Sequence, residues 1–503
     1  MDSRTWLIGA LAWAALGCGR SSLYFPPPDV EACVEVGSSS VGCSFLASPG
    51  LHLVEPVFDR DEVDPSRREP DGVFVVNPDE REVVTVQAFE IVEGQLEPRP
   101  LGDPLPLLPA ERAMVRLPVV SLRQASGLSA GGLVQLVADG PFAASQHGPY
   151  RPFLGNDSAL LLPDSALGQR YVVVAYPPHL EHFQGLGTPS FFEIAAVEDD
   201  TEVRWRPRQG STAAATGVPE VEAGQWSPTL VLRRHEVLRI LAAGRGGGPS
   251  EHDVSGTLIE TSAPVRVVAG SRCSAVPVSF DPGEGCDPLL EQLVPVQQWG
   301  HTTVVPHPPL RTTESHHVRI YAGAPGVCVT AEPSVLPAEP HCFEHEGQLL
   351  DVVVPHGTSF VLEADGPIMA AAYLQTRDRD VELGDPAMVQ LVSVEAYLDR
   401  YAIATGTEWD QHFAQLVRRQ GGAQVVLDGT IVEGWEPVAG WETAVVSIDE
   451  GSHVVRSDEP FGLTQYGWTN SLHEACAPFA AHGTCQTSYA HPGGMSTALQ
   501  RER

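Results

Sequence analysis

Leu133-Val-Gln-Leu-Val-Ala-Asp-Gly-Pro141-Phe142, Thr257-Leu-Ile-Glu-Thr-Ser-Ala-Pro264-Val265, Phe360-Val-Leu-Glu-Ala-Asp-Gly-Pro367-Ile368 and His453-Val-Val-Arg-Ser-Asp-Glu-Pro460-Phe461 are four versions of one pattern. In each, an apolar strand runs into a short polar spacer, a proline and a second apolar strand. The prolines lie 123, 103 and 93 residues apart. Proline lacks the amide hydrogen a ladder needs, so its simplest place is a corner where one strand ends and another starts. A second shared element lies upstream of each: Val73-Phe-Val-Val-Asn-Pro-Asp-Glu80, Phe192 to Thr201, Val318 to Gly326 and Phe413 to Gly422. Their Asp and Gly tips predict hairpins.

Between these anchors, short Val/Ile/Leu/Phe/Tyr runs alternate with Gly, Pro and Asp clusters, the signature of strands. With 44 prolines and 48 glycines there is little room for a long helix. The best helical candidate is Asp287 to Val294, a turn or two. The expected fold is all-β: tandem β-sandwich-like modules of six or seven strands in ~95–125 residues. A β-propeller-like closed array is the alternative. The sequence divides into a signal peptide (1–17), a tether with a Cys pair (18–49), four β modules (50–155, 156–293, 294–393 and 394–470) and a tail with a Cys pair (471–503).

The 503 residues carry 31 basic and 64 acidic side chains, a net charge of −33, and every basic residue is arginine. Without lysine there is no phosphate-loop lysine, no kinase site and no Schiff-base chemistry. A net-negative chain with no basic run is a poor partner for nucleic acid.

Trp6 to Gly17 is an apolar run of 12 residues. That is short of the ~20 needed to span a bilayer and fits a signal-peptide core. Ala15-Leu16-Gly17-Cys18 resembles a bacterial lipobox, with Cys18 as the lipidated residue. The chain is expected to be exported and lipid-anchored at the outer membrane or cell surface, with simple secretion as the alternative. Setting Cys18 aside leaves eight of nine cysteines. Eight allow 105 connectivities. Sequence proximity favours Cys33–Cys43, Cys273–Cys286, Cys328–Cys342 and Cys476–Cys485 in an oxidising compartment.

Asp253 to Gly270, Leu160 to Tyr171, Glu198-Asp-Asp-Thr201 and Gly384-Asp-Pro-Ala-Met388 ahead of Tyr397 and Tyr401 resemble the IgG-Fc-binding protein N-terminal domain family. The most specific part is Cys286-Asp-Pro-Leu-Leu-Glu-Gln-Leu-Val-Pro-Val-Gln-Gln-Trp-Gly300. The resemblance spans roughly residues 140 to 470. It implies a surface or secreted protein and carries over no catalytic residues.

Candidate chemistry is sparse. Asp59-Arg-Asp-Glu-Val-Asp64 groups carboxylates but lacks an EF-hand's glycine and spacing. Glu198 to Thr201 reads as a hairpin tip. His301, His307, His316, His317, His341 and His345 cluster without HExxH, and are expected as exposed strand or turn histidines. No GxSxG elbow occurs. Trp299 and Trp468 are expected in the core. The expected function is non-catalytic adhesion or binding of a protein or glycoprotein ligand, with no catalytic, metal or cofactor residues assigned. A self-assembling envelope component and an extracellular hydrolase are the alternatives.

Overall fold

The computed structural model describes residues 33, 39–51, 71–120, 125–148, 156–179, 189–244, 248–278, 286–309, 313–376, 385–407, 409–469 and 487–499. Among these, the architecture is all-β and the strands group into four modules. The first holds β1 (Gly42–Ala47), β2 (Gly72–Val76), β3 (Val84–Ile91), β4 (Arg99–Pro100), β5 (Leu105–Leu107), β6 (Arg112–Arg116), β8 (Leu133–Gly148) and β9 (Asp157–Leu160), while β7 (Gly127–Ala130) crosses to the second. The second holds β10 (Gly168–Val172), β11 (Phe191–Ala196), β12 (Thr201–Arg206), β13 (Leu230–Leu232), β14 (Glu236–Leu241), β15 (Leu258–Ser274) and β16 (Asp287–Gln292). In the third are β17 (Thr302–Val305), β18 (His316–Ala322), β19 (Cys328–Glu332), β20 (His341–Cys342), β21 (Leu349–Val354), β22 (Phe360–Ala364), β23 (Ile368–Tyr373) and β24 (Met388–Leu391). The fourth contains β25 (Leu398–Ala404), β26 (Gln411–Arg419), β27 (Val426–Leu427), β28 (Thr430–Ile431), β29 (Glu436–Val438), β30 (Trp441–Ile448), β31 (Ser452–Trp468) and β32 (Ser488–Pro492).

The proline segments are the axles of these modules. β8 pairs with β3 through Leu133–Ala138 and with β2 through Ala143–His147, so one strand leaves a sheet at Pro141 and enters a second. β15 and β31 do the same around Pro264 and Pro460, and β22 and β23 are the two halves split at Pro367. A strand that switches sheets makes the corner of a two-sheet sandwich. The register repeats as well. Four residues beyond each proline, the corner strand faces Phe74, Glu193, Arg319 and Gln415 in turn.

The upstream strand–turn–strand segments are not hairpins. β2 and β3, β11 and β12, β18 and β19, and β26 and β27 are consecutive, yet each pair binds opposite halves of its corner strand. Each turn therefore arches between two sheets. Asp287 to Val294 is no helix either: β16 (Asp-Pro-Leu-Leu-Glu-Gln) is buried at every position, and a strand covered on both faces loses the apolar–polar alternation. Four strands pair outside the segments the sequence assigned them. β1 and β9 join the first module through β8, β7 joins the second through β14, and β32 joins the fourth through β31.

The last strand of every module is its innermost. β9 lies against β16 and β32, and β24 lies against the same two, so the four inner strands surround one axis. The ring closes where the Ser40 amide donates to the Met495 carbonyl (2.8 Å) and the Met495 amide donates to Ser40 Oγ (2.9 Å). Tandem two-sheet modules and a closed array are thus both present. After each of the first three inner strands the chain makes a short 3₁₀ turn, at Asp164–Ala166, Val296–Gln298 and Val394–Ala396, and enters the next module.

Candidate functional site: the polar axis and the four seams

Of the four axis strands, β16 lies within the most specific family-like segment, Cys286 to Gly300. Asp157 on β9 is fully buried; its Oδ2 accepts the Leu290 amide (2.9 Å) and the Met388 amide (3.3 Å), and the Ala490 amide also reaches the carboxyl. One side chain of the first module therefore touches the inner strands of the other three. Burial pushes its carboxyl well above the usual range. Glu291 is displaced the same way, by burial first and then by Asp157, while its Oε1 accepts the Gln390 amide (3.0 Å). Burial lifts Asp287 to about 7, opposed by its hydrogen bond with Asp385. These carboxyls are held as hydrogen-bonding struts, and among the described residues no group of three or more His, Cys, Asp or Glu could hold a metal ion.

Phe74, Glu193, Arg319 and Gln415, equivalent by register, each face the preceding module. In the seam between the first and second modules, Glu193 Oε2 pairs with Arg239 (2.7 Å). Its Oε1 accepts Ser48 Oγ (2.6 Å), and Ser48 in turn receives Arg266 (2.7 Å). In the next seam, Arg319 Nη1 reaches Asp253 (2.9 Å), the Ala175 carbonyl (3.0 Å) and Ser255 Oγ (3.0 Å), and its Nε pairs with Asp351 (2.6 Å). Tyr321 and Tyr373 both donate to that same carbonyl at 3.0 Å. In the third seam, Gln415 Nε2 donates to the His307 carbonyl (2.5 Å).

The closing seam is different. Phe74 packs with Val76, Ala402, Ala404, Trp409 and Tyr489. His147 lies among Phe74, Trp409, Tyr489 and His491, with ring centroids 5.1–5.7 Å away, and neither of its nitrogens has a hydrogen-bond partner among the described residues. His412 is satisfied by Tyr489 Oη (2.8 Å) and the Gly406 carbonyl (3.0 Å). Burial holds His147 well below the usual imidazole range and lowers His412 and His491 to about 4. Beside this seam a cleft of about 360 Å³ opens between Gly406–Phe413 and Ser447–Glu450. Asp410, Asp449 and Glu450 line it, and Glu450 is bridged to Arg112 of the first module at 3.1 Å.

The residues singled out from sequence are scattered over this frame. Cys33–Cys43, Cys273–Cys286 and Cys328–Cys342 are bonded; the last joins β19 to β20. Cys18, Cys476, Cys485 and the acidic run Asp59 to Asp64 lie outside the described residues. Glu198 to Thr201 is an arch tip, with Thr201 Oγ1 donating to the Glu198 carbonyl (2.9 Å). Trp299 and Trp468 are buried. Of the histidine cluster, His301 and His345 are exposed and His317 and His341 are intermediate, but His307 and His316 are buried and stacked at 4.8 Å. The correction follows from the third seam, which covers them. Two residues within the family-like segments act in a way their type alone did not disclose. Tyr171 Oη accepts the Gly168 amide and donates to the Val265 carbonyl (2.7 Å), while Tyr401 Oη bonds Leu398 and Phe461 in the same manner. Both carbonyls belong to the residue after a corner proline, so each tyrosine pins a corner.

A closed array of two-sheet modules whose buried polar groups tie module to module defines an all-β scaffold protein. The IgGFc binding protein family model matches residues 157–467, well over half the chain, and the protein belongs to that family. The match opens on the first residue of β9 and ends within β31. Among curated proteins, the human IgGFc-binding protein is 21% identical over 235 residues, covering 45% of this chain and 4% of its own length. Among solved structures, an anti-sigma factor domain-containing protein from Clostridium clariflavum shares 8% identity, covering 60% of this chain and 100% of that one, at a TM-score of 0.13. A likeness that low carries no argument.

Proposed function

We propose that the protein is a non-catalytic, surface-exposed binding lipoprotein that recognises a protein or glycoprotein ligand. Cys18 is its lipid anchor at the outer membrane or cell surface, and adhesion is its role. The observation that supports the reading most is the family match, which takes in three of the four axis strands and three of the four corner strands. The human relative's name points to a protein ligand. The polar side chains at the axis and in the first two seams are already engaged with one another, which suits a frame that presents loops and edges. The net charge of −33 suits an exposed, soluble surface.

A protein and glycoprotein array, including immunoglobulin Fc and mucins, tests the ligand class. Reproducible binding to at least one arrayed protein is expected, and a blank array together with concentration-dependent oligomers would favour a self-assembling envelope component instead. Labelled fatty acid should enter the wild-type protein and not Cys18→Ala; equal labelling of both would remove the anchor.

A further inference from the structure

In each module's second sheet the strand beside β2, β11, β18 or β26 and away from the corner strand is β6, β14, β21 or β30, and the four edges end differently. In the second module β14 is covered: β7 pairs with it from Glu236 to Arg239, and the Leu241 amide donates to Ser126 Oγ (3.0 Å). In the fourth, β29 covers the start of β30. In the first, β6 is uncovered among the described residues but carries Arg112 and Arg116, and charge is a common way to blunt an edge. In the third, β21 pairs with β18 alone among the described residues.

β21 reads Leu-Leu-Asp-Val-Val-Val, a strongly β-forming run with one charge. Its outward groups can be assigned. The Ala322 amide donates to the Gln348 carbonyl, so positions 350, 352 and 354 turn their backbone groups toward β18. Leu349, Asp351 and Val353 therefore point theirs away from the sheet. Val353 stands at the register position of Leu241, and its side chain is 62% exposed.

We propose that the β21 edge is a docking site for an extended segment of another protein, which adds as an antiparallel strand; this rests on the protein-binding reading above. The fold itself shows what fits such an edge, because the equivalent edge in the second module holds β7 in antiparallel register. Charge separates a partner protein from a second copy. Antiparallel self-pairing that sets Val353 opposite Leu349 places Asp351 opposite Asp351, and like charges directly opposite are unfavourable. It also joins two chains of charge −33. The segment that complements the edge is apolar, with one basic residue opposite Asp351, whose Oδ1 pairs with Arg319 (2.6 Å) while its side chain stays 60% exposed. Main-chain hydrogen bonds supply the affinity and alternate side chains the selectivity.

The test uses the full chain and a capped peptide, Thr-Val-Val-Arg-Val-Val-Thr, with a second in which glutamate replaces arginine. Hydrogen exchange of the Leu349–Val354 segment should slow with the first peptide and respond far less to the second. Val353→Pro removes an outward amide that β18 does not use, so the module should fold and peptide affinity fall by roughly tenfold or more. Val353→Lys, which copies the charged ending of β6, serves as the second variant should proline disturb the strand. Unchanged exchange with the arginine peptide, or equal binding by folded Val353→Lys, overturns the site. Equal binding of both peptides overturns the charge assignment, and a dimer abolished by Val353→Lys would put a second copy on the edge instead. On the protein array the two readings separate: wild type and Val353→Lys binding alike removes this edge but leaves protein binding standing, while a blank array for both removes the broader reading.

Discussion

The seam between the second and third modules and the seam that closes the ring occupy equivalent places and use opposite chemistry at their buried centres. The charged pairs Arg112–Glu450 and Arg400–Glu80 of the closing seam lie at its exposed margin. At the same register position one has Arg319 and the other Phe74. Arg319 is 5% exposed and engaged by two carboxylates, a carbonyl and a hydroxyl. Around Phe74 the closing seam is aromatic, with an imidazole whose nitrogens face no hydrogen-bond partner among the described residues. Successive modules are tethered by the chain, and at the second seam the directional ion pair of Arg319 sets the angle within an interface that also buries Tyr176, Tyr321, Met369 and Tyr373. The first and fourth modules are joined by no direct linker. Their seam buries large rings, and area burial is the non-directional driving force that brings distant segments together.

Removing the cation should cost most. Arg319→Met leaves Asp253 buried with its Ser255 contacts but no counter-charge, and breaking a buried pair from one side costs about 3–5 kcal/mol. The urea midpoint should fall accordingly. A loss under about 1 kcal/mol would mean that packing, not charge, sets that seam.

Acid should separate the axis from the closing seam. His412 and His491 titrate near 4 in the folded protein against 6.5 in an unexposed-to-burial reference, so the unfolded chain binds more protons between those values. Their contribution is present above pH 6.5 and lost as pH falls toward 4. Asp287 has the opposite sign: at about 7 against 3.8, its contribution is present below 3.8 and lost as pH rises through 7. The two oppose each other from pH 4 to 6.5. Asp287→Asn should therefore raise the melting temperature at pH 8 and steepen the fall on acidification. A parallel displacement of the whole curve would show that Asp287 does not titrate as its burial requires.

The corner tyrosines give a smaller comparison within the fold. Tyr401→Phe removes a hydroxyl that both accepts and donates, leaving the Phe461 carbonyl and Leu398 amide without it, for a loss of about 1–3 kcal/mol. Chemical denaturation measures it. A change within about 0.5 kcal/mol would place the corner's strength in Pro460 and its strand instead.

The module and its corner were legible because the proline recurs between apolar runs, a local signal. The arches were misread because a turn between two strands looks the same whether those strands pair with each other or with opposite halves of a third. β16 was misread because Leu289 and Leu290, buried at the axis, erase the alternation that marks a strand. The seam residues shared a position but no type: Phe74, Glu193, Arg319 and Gln415 form no motif. The available signal was a polar residue inside an apolar run, as in Phe191-Phe-Glu193-Ile194 and Val318-Arg319-Ile320. Ring closure depends on contacts some 450 residues apart, between Ser40 and Met495, and periodicity does not report these.

His147→Phe is the mildest change and the sharpest test of the contrast. The imidazole is 0% exposed and both nitrogens lack hydrogen-bond partners among the described residues, so the folded state bears the cost of desolvating them. Phenylalanine keeps an aromatic ring against Phe74, Trp409 and Tyr489 and removes the polar atoms, at the expense of some added volume. Replacing an unsatisfied polar group by an apolar one of similar shape is nearly neutral or stabilising, so the midpoint should move by no more than about 1 kcal/mol. Burial already keeps this histidine well below the usual imidazole range, so its removal should also flatten the acid limb of the stability curve. If the variant instead loses as much as Arg319→Met, the buried centre of the closing seam depends on a polar contact of His147 and the two seams are alike. If it is neutral at pH 7 and gains in acid, the centre of the seam that completes the ring is held by apolar rings, and His147 adds to the proton sensitivity that His412 and His491 give it.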